Sequence, residues 1–210
     1  MAPPPINILC LGDSLTNGHI RGRAHTPYSD HIQSLLNSNG QNHVTLFNAG
    51  VDGDTVPGML SRLPTLLQQA QFHHVIFLGG TNDLAFVSNA DDITPEQATA
   101  HISFKPIYDI LVAQQSIKSF LHLTVPYNTF DRLDPDYKSY KDALNNRIIS
   151  GPCPKKSFLD LNNPALNFNH LLMTEDERDE LWSDALHYSN LGYKRLATCI
   201  YTELEKMLVS

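Results

Sequence analysis

The sequence has 210 residues, of which 41% are hydrophobic and 18% are charged, and its formal net charge is −7. This length and composition are typical of one globular domain covering residues 1–210, and they exclude a largely disordered chain. Contacts to nucleic-acid phosphates require clustered Lys and Arg, and the densest basic pair here is Lys155-Lys156. The sequence therefore argues against a nucleic-acid partner.

The chain opens with the lead Met1–Pro5, which is predicted to be flexible, and continues with the short apolar run Ile6–Leu11. This run is too short for the core of a signal peptide, and no stretch reaches the roughly 18 apolar residues of a transmembrane helix. We expect a cytoplasmic protein without a transmembrane segment, with secretion as the alternative if a signal peptide was removed.

Short apolar runs recur along the chain, each bounded by polar or turn residues. They have the length of β-strands, and several lack polar alternation, as expected for strands buried on both faces of a parallel sheet. In chain order the runs are Ile6–Leu11, Val44–Ala49, Val75–Leu78, Phe120–Val125 and Phe158–Leu161.

Helix-start signals separate these runs. Thr94-Pro95-Glu96-Gln97 carries a capping box with Pro at the first helical position, and Ser189 is predicted to cap the last helix. Alternating strands and helices predict an α/β fold, a three-layer α/β/α sandwich around a five-stranded parallel sheet with the flavodoxin-like order 2-1-3-4-5. Further helix starts are predicted at Asp54-Thr55, Asp134-Pro135 and Thr174.

The first strand ends in Gly12-Asp13-Ser14-Leu15. A serine just past a parallel strand lies at the carboxyl edge of the sheet, where open α/β folds bind ligands. The tripeptide alone fits a plain strand-to-loop turn equally well. It does not form the Gly-x-Ser-x-Gly elbow of α/β-hydrolases, because Thr16 occupies the last position.

Two further segments follow the second and third strands. Gly50 can bring a backbone N–H close to a reacting oxygen, and Asn82 offers a side-chain amide, although each residue alone is typical of a turn. The order 2-1-3 places both loops beside Ser14. The N–H groups of Ser14 and Gly50 and the Asn82 amide are therefore predicted to form an oxyanion hole.

The last segment of interest contains Asp184 and His187, three residues apart before the final helix. In such a turn the carboxylate can reach Nδ1 of the imidazole and leave Nε2 for a serine hydroxyl. Ser14, Asp184 and His187 are therefore the predicted catalytic residues.

In these same segments the chain resembles the SGNH hydrolases, also called the GDSL esterases and lipases. Gly12-Asp13-Ser14-Leu15, Gly50, Gly80-Thr81-Asn82-Asp83 and Asp184-x-x-His187 match its blocks in family order. The resemblance covers nearly the whole chain and implies the same three-layer fold. Gly53-Asp54-Thr55 and Ser61–Pro64 are similar to the acyl-thioesterase/arylesterase branch, whereas Tyr188 stands where the family often has proline.

The resemblance implies hydrolysis of a small carboxylic ester through an acyl-enzyme on Ser14, with no metal or organic cofactor. An acyl thioester, a lysophospholipid or an acetylated sugar remains possible as the substrate. Two other classes stay open: a catalytically silent carbohydrate- or lipid-binding module, and a nucleotide binder, which would need a basic Gly-rich loop that the strand ends lack. The oligomeric state is open.

Several apolar residues near the strand ends are predicted to line an acyl pocket, while the aspartates beside the motifs, Asp13, Asp54 and Asp83, are assigned structural hydrogen bonds. The predicted pocket residues are Leu15, Phe86, Tyr127, Trp182 and Leu186.

The remaining histidines and the cysteines show no metal-ligand spacing. Cys10, Cys153 and Cys199 form no CxxC pair, and His19 and His25 are assigned no role beyond surface or packing. The sequence predicts neither a disulfide framework nor a metal site.

Overall fold

The computed structural model describes residues 3–22, 25–87 and 93–209. Its parallel sheet has the order β2-β1-β3-β4-β5, which confirms the predicted fold and strand order. Met1 and Ala2 of the predicted lead lie outside the described residues. The strands are β1 (Ile6–Gly12), β2 (Val44–Gly50), β3 (His74–Leu78), β4 (Ser119–Leu123) and β5 (Lys156–Leu159).

Helices connect the strands and cover both faces of the sheet. Three short 3-10 helices, Asp83–Phe86, Pro164–Leu166 and His170–Leu172, lie in the loops of the described chain. The α-helices are α1 (Ser14–Asn17), α2 (Tyr28–Ser38), α3 (Val56–Leu67), α4 (Pro95–Ala98), α5 (Lys105–Ala113), α6 (Thr129–Leu133), α7 (Pro135–Ser150), α8 (Glu175–Leu181) and α9 (Asn190–Leu208).

The sheet separates two hydrophobic cores because successive strand residues point to opposite faces. Ile8 and Cys10 of β1 pack with the buried residues of α2 and α9, whereas Leu9 and Leu11 pack with those of α3, α5 and α7. This division produces the three layers.

The predicted caps form at the starts of several helices. The Thr94 hydroxyl and the Gln97 side chain make a reciprocal capping box, although the α4 helix that follows is only one turn long. Ser189 caps α9 by accepting the N–H of Gly192. None of the helices in the described part of the chain combines the length and apolar character that crossing a membrane requires.

The ends of β1, β2 and β3 are level with one another. Gly12 at the end of β1 is in register with Gly50 on β2 and with Leu78 on β3. The loops that follow these residues therefore leave the sheet side by side. They do so at the switch point of the sheet, where the chain has added β2 on one side of β1 and then adds β3 on the other. This geometry brings the loop of Ser14 next to the loops that follow β2 and β3.

Candidate active site

Ser14 begins the one-turn helix α1 directly after β1. The carboxylate of Asp13 accepts the N–H of Leu15 at 2.9 Å and so caps this helix. Ser14 itself is 5% exposed, and its backbone N–H has no hydrogen-bond partner in the part of the chain that is described. The cap fixes the serine at the sheet edge, with its amide still available.

The side chains of Ser14, His187 and Asp184 form a continuous hydrogen-bonded chain. Oγ of Ser14 lies 2.9 Å from Nε2 of His187, and Nδ1 of His187 lies 3.0 Å from Oδ2 of Asp184. The structure thus brings together the three residues that the sequence predicts to be catalytic. A base in this position can take the proton of a serine hydroxyl, while the carboxylate holds the imidazole in the required tautomer.

The turn that carries Asp184 and His187 is tightly closed on itself. Oδ1 of Asp184 accepts the backbone N–H groups of Leu186 and His187 at 2.8 and 2.7 Å. Trp182 and Tyr188 form a β-bridge across the base of the turn, and their rings pack with centroids 4.4 Å apart. Local hydrogen bonds therefore orient the carboxylate before any substrate arrives.

Partial burial opposes the charged form of Asp184, but hydrogen bonds outweigh it. The backbone N–H groups of His187 and Leu186 and the imidazole of His187 all favour the carboxylate. Together they hold the pKa of Asp184 below its ordinary value. The group is therefore anionic at neutral pH and can stabilise an imidazolium.

A buried ion pair supports this turn from the side, and sequence reasoning missed it. The N–H of Thr129, at the start of α6, donates to the carbonyl of Ala185 at 3.2 Å. Asp131 of α6 pairs with the fully buried Lys141 of α7 at 2.5 Å, and Lys141 also donates to the Pro126 carbonyl at 2.9 Å. Burial lowers the pKa of Lys141 to about 8 despite the charge of Asp131. An i to i+10 pairing between two helices leaves no periodic signal in the sequence.

Asn82 lies beside the loop that follows β2. Its Nδ2 donates to the backbone carbonyl of Asp54 at 2.8 Å. An amide nitrogen carries two hydrogens, so one donor remains for a ligand. The contact with Asp54 fixes the direction in which that second hydrogen points.

Gly50 differs from its predicted role, because its N–H is already engaged. It donates to Oδ1 of Asn48 at 2.8 Å. An added Cβ at Gly50 would lie 2.2 Å from the backbone nitrogen of Asn17, so glycine is required here for close packing of β2 against α1. Gly50 thus has a packing role that explains its identity without an oxyanion.

Gly53 in the same loop has the properties expected for Gly50. It adopts φ +75°, nothing lies within 4 Å of the position a Cβ would take, and its N–H has no partner among the described residues. Asp52 on one side contacts Asn17 of α1 at 2.9 Å, and Asp54 on the other side contacts Asn82. These flanking contacts hold Gly53 between the loop of Ser14 and Asn82. The sequence signal was the segment Gly53-Asp54-Thr55.

The aspartates beside the motifs make the predicted structural hydrogen bonds. The N–H of Val56, the first residue of α3, donates to both carboxylate oxygens of Asp83, at 3.1 Å to Oδ1 and 3.0 Å to Oδ2. Asp54 pairs with Arg62 at 2.7 Å. Burial, together with the charges of Asp83 and Asp54, raises the pKa of Asp13 to about 7, although the hydrogen bond from the Leu15 N–H lowers it. Burial likewise raises the pKa of Asp83.

The predicted acyl-pocket residues divide into two groups. Leu15 and Trp182 are buried in the hydrophobic core, and the hydroxyl of Tyr127 is directed to Asp142, at 2.5 Å. The pocket role of these three residues stays a prediction, since core packing or a hydrogen bond already uses each side chain. Phe86 is 75% exposed and Leu186 is half-buried, so both side chains remain accessible at the sheet edge.

Three polar residues that the sequence analysis left without a role meet beside His187. Nδ1 of His19 and Nε2 of His25 lie 2.9 and 3.2 Å from Oδ2 of Asp52. The ring of His19 packs on that of His187 with centroids 4.4 Å apart. Partial burial is outweighed by hydrogen bonds from Asn17 and the two imidazoles, which lower the pKa of Asp52 to about 2. The sequence does not indicate this cluster, because its three residues come together only when two loops meet in the fold.

Comparison with solved structures places the fold among known hydrolases. A lipase/acylhydrolase from Enterococcus faecalis superposes with a TM-score of 0.69 at 22% identity, over 96% of each chain. An acetylxylan esterase from Geobacillus stearothermophilus superposes with a TM-score of 0.68 at 19% identity, over 95% of this chain and 94% of that one. At these identities the likeness establishes the fold.

Sequence comparison identifies the family. The thioesterase 1/protease 1/lysophospholipase L1 of Escherichia coli K12 is 40% identical over 76 residues, which are 36% of this chain and 34% of that protein. The match therefore spans about a third of that relative. The profile of the GDSL-like lipase/acylhydrolase family matches residues 10–195, from the end of β1 to α9. The chain belongs to the GDSL-like lipase/acylhydrolase family.

Proposed function

We propose that the protein hydrolyses carboxylic esters through a covalent acyl-enzyme on Ser14. The observation that carries the proposal is the hydrogen-bonded chain from Ser14 through His187 to Asp184, with links of 2.9 and 3.0 Å. A serine hydroxyl is a weak nucleophile until such a base removes its proton. Family membership supports the same chemistry.

In the first step Oγ of Ser14 attacks the ester carbonyl carbon while Nε2 of His187 takes the hydroxyl proton. Asp184 stabilises the imidazolium that results. Collapse of the tetrahedral intermediate breaks the bond to the alcohol, which leaves with the proton from His187. A water molecule then repeats the sequence on the acyl-enzyme and releases the acid.

The tetrahedral oxyanion requires donors that are already in place. We assign this role to the N–H groups of Ser14 and Gly53 and to the second hydrogen of the Asn82 amide. Both backbone groups lack a partner among the described residues, and Asn82 is oriented by its bond to Asp54. Gly53 replaces Gly50 because the N–H of Gly50 donates to Asn48.

The substrate we propose is a neutral ester with a short apolar acyl group. Exposed apolar side chains stand on the segments that follow three strand ends: Val51 after β2 at 47%, Phe86 in the 3-10 helix after β3 at 75%, and Phe130 in α6 after β4 at 46% exposure. Val51 is tied to Gly12 by a backbone hydrogen bond of 3.1 Å, and Phe130 follows Thr129, which bonds to Ala185. Contact with this rim, defined as Val51, Phe86 and Phe130, removes apolar surface of an acyl chain from water.

A series of p-nitrophenyl esters with lengthening acyl chains tests the proposal. Burial of one methylene contributes at most about 0.8 kcal/mol, or roughly fourfold, so kcat/KM should rise from acetate to butyrate and flatten once the chain passes the rim. Phe86→Ala should weaken this rise. Phe158→Ala, which removes an exposed aromatic ring on β5, serves as the matched control.

A flat or falling series with good acetate turnover would contradict the apolar acyl group and favour an acetylated polar substrate, the class named for the Geobacillus stearothermophilus esterase. Preference for the matching thioester would favour the activity named for the Escherichia coli relative. Failure to hydrolyse any ester would favour a silent binding module on the same fold.

A further inference from the structure

His19, His25 and Asp52 lie on two loops that flank Ser14. His19 and His25 follow α1, and Asp52 belongs to the loop that follows β2. All three side chains are partly exposed, with relative accessibilities of 35, 45 and 42%. An ion from solvent can therefore reach them without opening the fold.

The three ligand atoms lie close to the spacing of a chelate. Nδ1 of His19 and Nε2 of His25 lie 2.9 and 3.2 Å from the same oxygen, Oδ2 of Asp52, and all three atoms fall within 4.8 Å of one another. Bond lengths of about 2.0–2.2 Å around a tetrahedral Zn²⁺ place neighbouring ligand atoms roughly 3.3 Å apart. Small side-chain rotations suffice to reach that arrangement.

Contacts outside the cluster hold two of the three residues in position. Asn17 donates to Oδ1 of Asp52 at 2.9 Å, which leaves Oδ2 directed at the imidazoles. The hydroxyl of Tyr193 donates to the backbone carbonyl of His19 at 2.9 Å and anchors that loop to α9. Carboxylates that ligate a metal ion are usually oriented by hydrogen bonds from neighbouring groups.

We propose that His19 Nδ1, His25 Nε2 and Asp52 Oδ2 bind one divalent transition-metal ion of the Zn²⁺ class, with water in the fourth position. Two imidazoles and one carboxylate suit Zn²⁺ or Co²⁺, whereas Mg²⁺ and Ca²⁺ prefer oxygen ligands. The ion would join the loop after α1 to the loop after β2. None of its three ligands belongs to the Ser14, His187 and Asp184 set, so the proposal does not rest on the proposed reaction.

The contacts have a second explanation, which the experiment must separate from metal binding. Two protonated histidines beside one carboxylate would form exposed ion pairs, which contribute little to stability. Metal binding instead requires both imidazoles to be neutral at the ligating nitrogen, with His19 protonated on Nε2 and His25 on Nδ1.

Calorimetric titration of chelator-treated protein with ZnCl2 at pH 7.5 tests the proposal. We expect one saturable site. Loss of a residue that only hydrogen-bonds to a metal ligand weakens metal binding by roughly 10–100-fold. His25→Ala and Asp52→Asn remove ligands themselves, so each should weaken binding by at least that factor. His43→Ala, at the opposite edge of the sheet, is the matched control and should bind normally. MgCl2 should not compete.

A second readout uses Co²⁺, whose visible absorption reports tetrahedral coordination by nitrogen and oxygen. That spectrum should appear with one equivalent of Co²⁺, disappear in His25→Ala and persist in His187→Ala. Zinc binding that is lost in His187→Ala but kept in His25→Ala would place the ion on the catalytic residues and overturn the proposal. Absence of saturable binding by the folded protein at millimolar Zn²⁺ would overturn it equally. Circular dichroism of each variant separates loss of binding from loss of fold.

Discussion

Nε2 of His187 lies 2.9 Å from Oγ of Ser14, although the two residues are 173 positions apart in the chain. The parallel sheet delivers Ser14 to its carboxyl edge, and the Trp182–Tyr188 bridge closes the turn that presents His187. Both halves of the contact are set by backbone structure. The proton transfer that we propose needs no large rearrangement.

Asp184→Asn should lower kcat by roughly 10⁴-fold while leaving the fold intact. The asparagine Oδ1 can still accept the N–H groups of Leu186 and His187, but its NH2 group faces Nδ1 of His187 and favours the tautomer that protonates Nε2. Steady-state kinetics on a chromogenic ester measures the loss. Asp176→Asn on the exposed surface of α8 is the control, and a loss below tenfold would show that Asp184 only shapes the turn.

Asn82→Ala should raise the barrier by roughly 2.7–4 kcal/mol, a fall of about 10²–10³ in kcat with little change in KM. The reason is that the Asn82 amide donates its hydrogen bond to the substrate oxygen in the transition state, when negative charge develops on that oxygen. The lost bond to Asp54 makes a melting curve necessary as a separate measurement. Less than tenfold loss of kcat in a folded variant would assign Asn82 a structural role.

Formation of a phosphonate adduct on Ser14 should shift the amide proton of Gly53 downfield in a ¹⁵N-resolved NMR spectrum, since the adduct oxygen occupies the place of the oxyanion. The amide of Gly50 should change less, because it stays bonded to Asn48. The reverse pattern would restore the sequence-based assignment of Gly50.

Asp13→Asn should stabilise the protein at pH 8 and have little effect at pH 4. The pKa of Asp13 is about 7 in the folded protein against an ordinary value of 3.8, so unfolding releases its proton between these values and the native state becomes less stable as pH rises through them. The roughly three pH units between the two values correspond to a penalty of about 4 kcal/mol above pH 7.

Urea unfolding of the wild-type protein and of Asp13→Asn, at pH 4 and at pH 8, measures this difference in stability. The asparagine keeps the Oδ1 that caps Leu15, so the helix start is preserved. An equal change in stability at pH 4 and pH 8 would mean that Asp13 binds its proton equally in the folded and unfolded states, and it would contradict the raised pKa.

The sequence predicts the sheet order and the meeting of Ser14 with Asp184 and His187 because strand ends and a short turn are local features. It does not predict which N–H groups are free. The Asn48 side chain that engages Gly50 lies only two residues away, but its direction depends on the folded loop. A glycine that fills a tight contact and a glycine that binds an anion therefore look alike.

Apolar residues near a site show the same ambiguity. Leu15 directly follows Ser14 but points into the core, whereas Phe86 remains in solvent. The cluster of His19, His25 and Asp52 depends on two loops meeting, and its second and third members are 27 positions apart, so spacing in the sequence gives no sign of it.

Turnover of a chromogenic short-chain ester by Ser14→Ala, at the same concentration as the wild-type protein, tests the central claim most directly. The account predicts a fall in kcat of roughly 10⁶-fold with an unchanged circular dichroism spectrum, because removal of the hydroxyl abolishes the acyl-enzyme. Undiminished hydrolysis by the folded variant would contradict the assignment of Ser14 as the nucleophile.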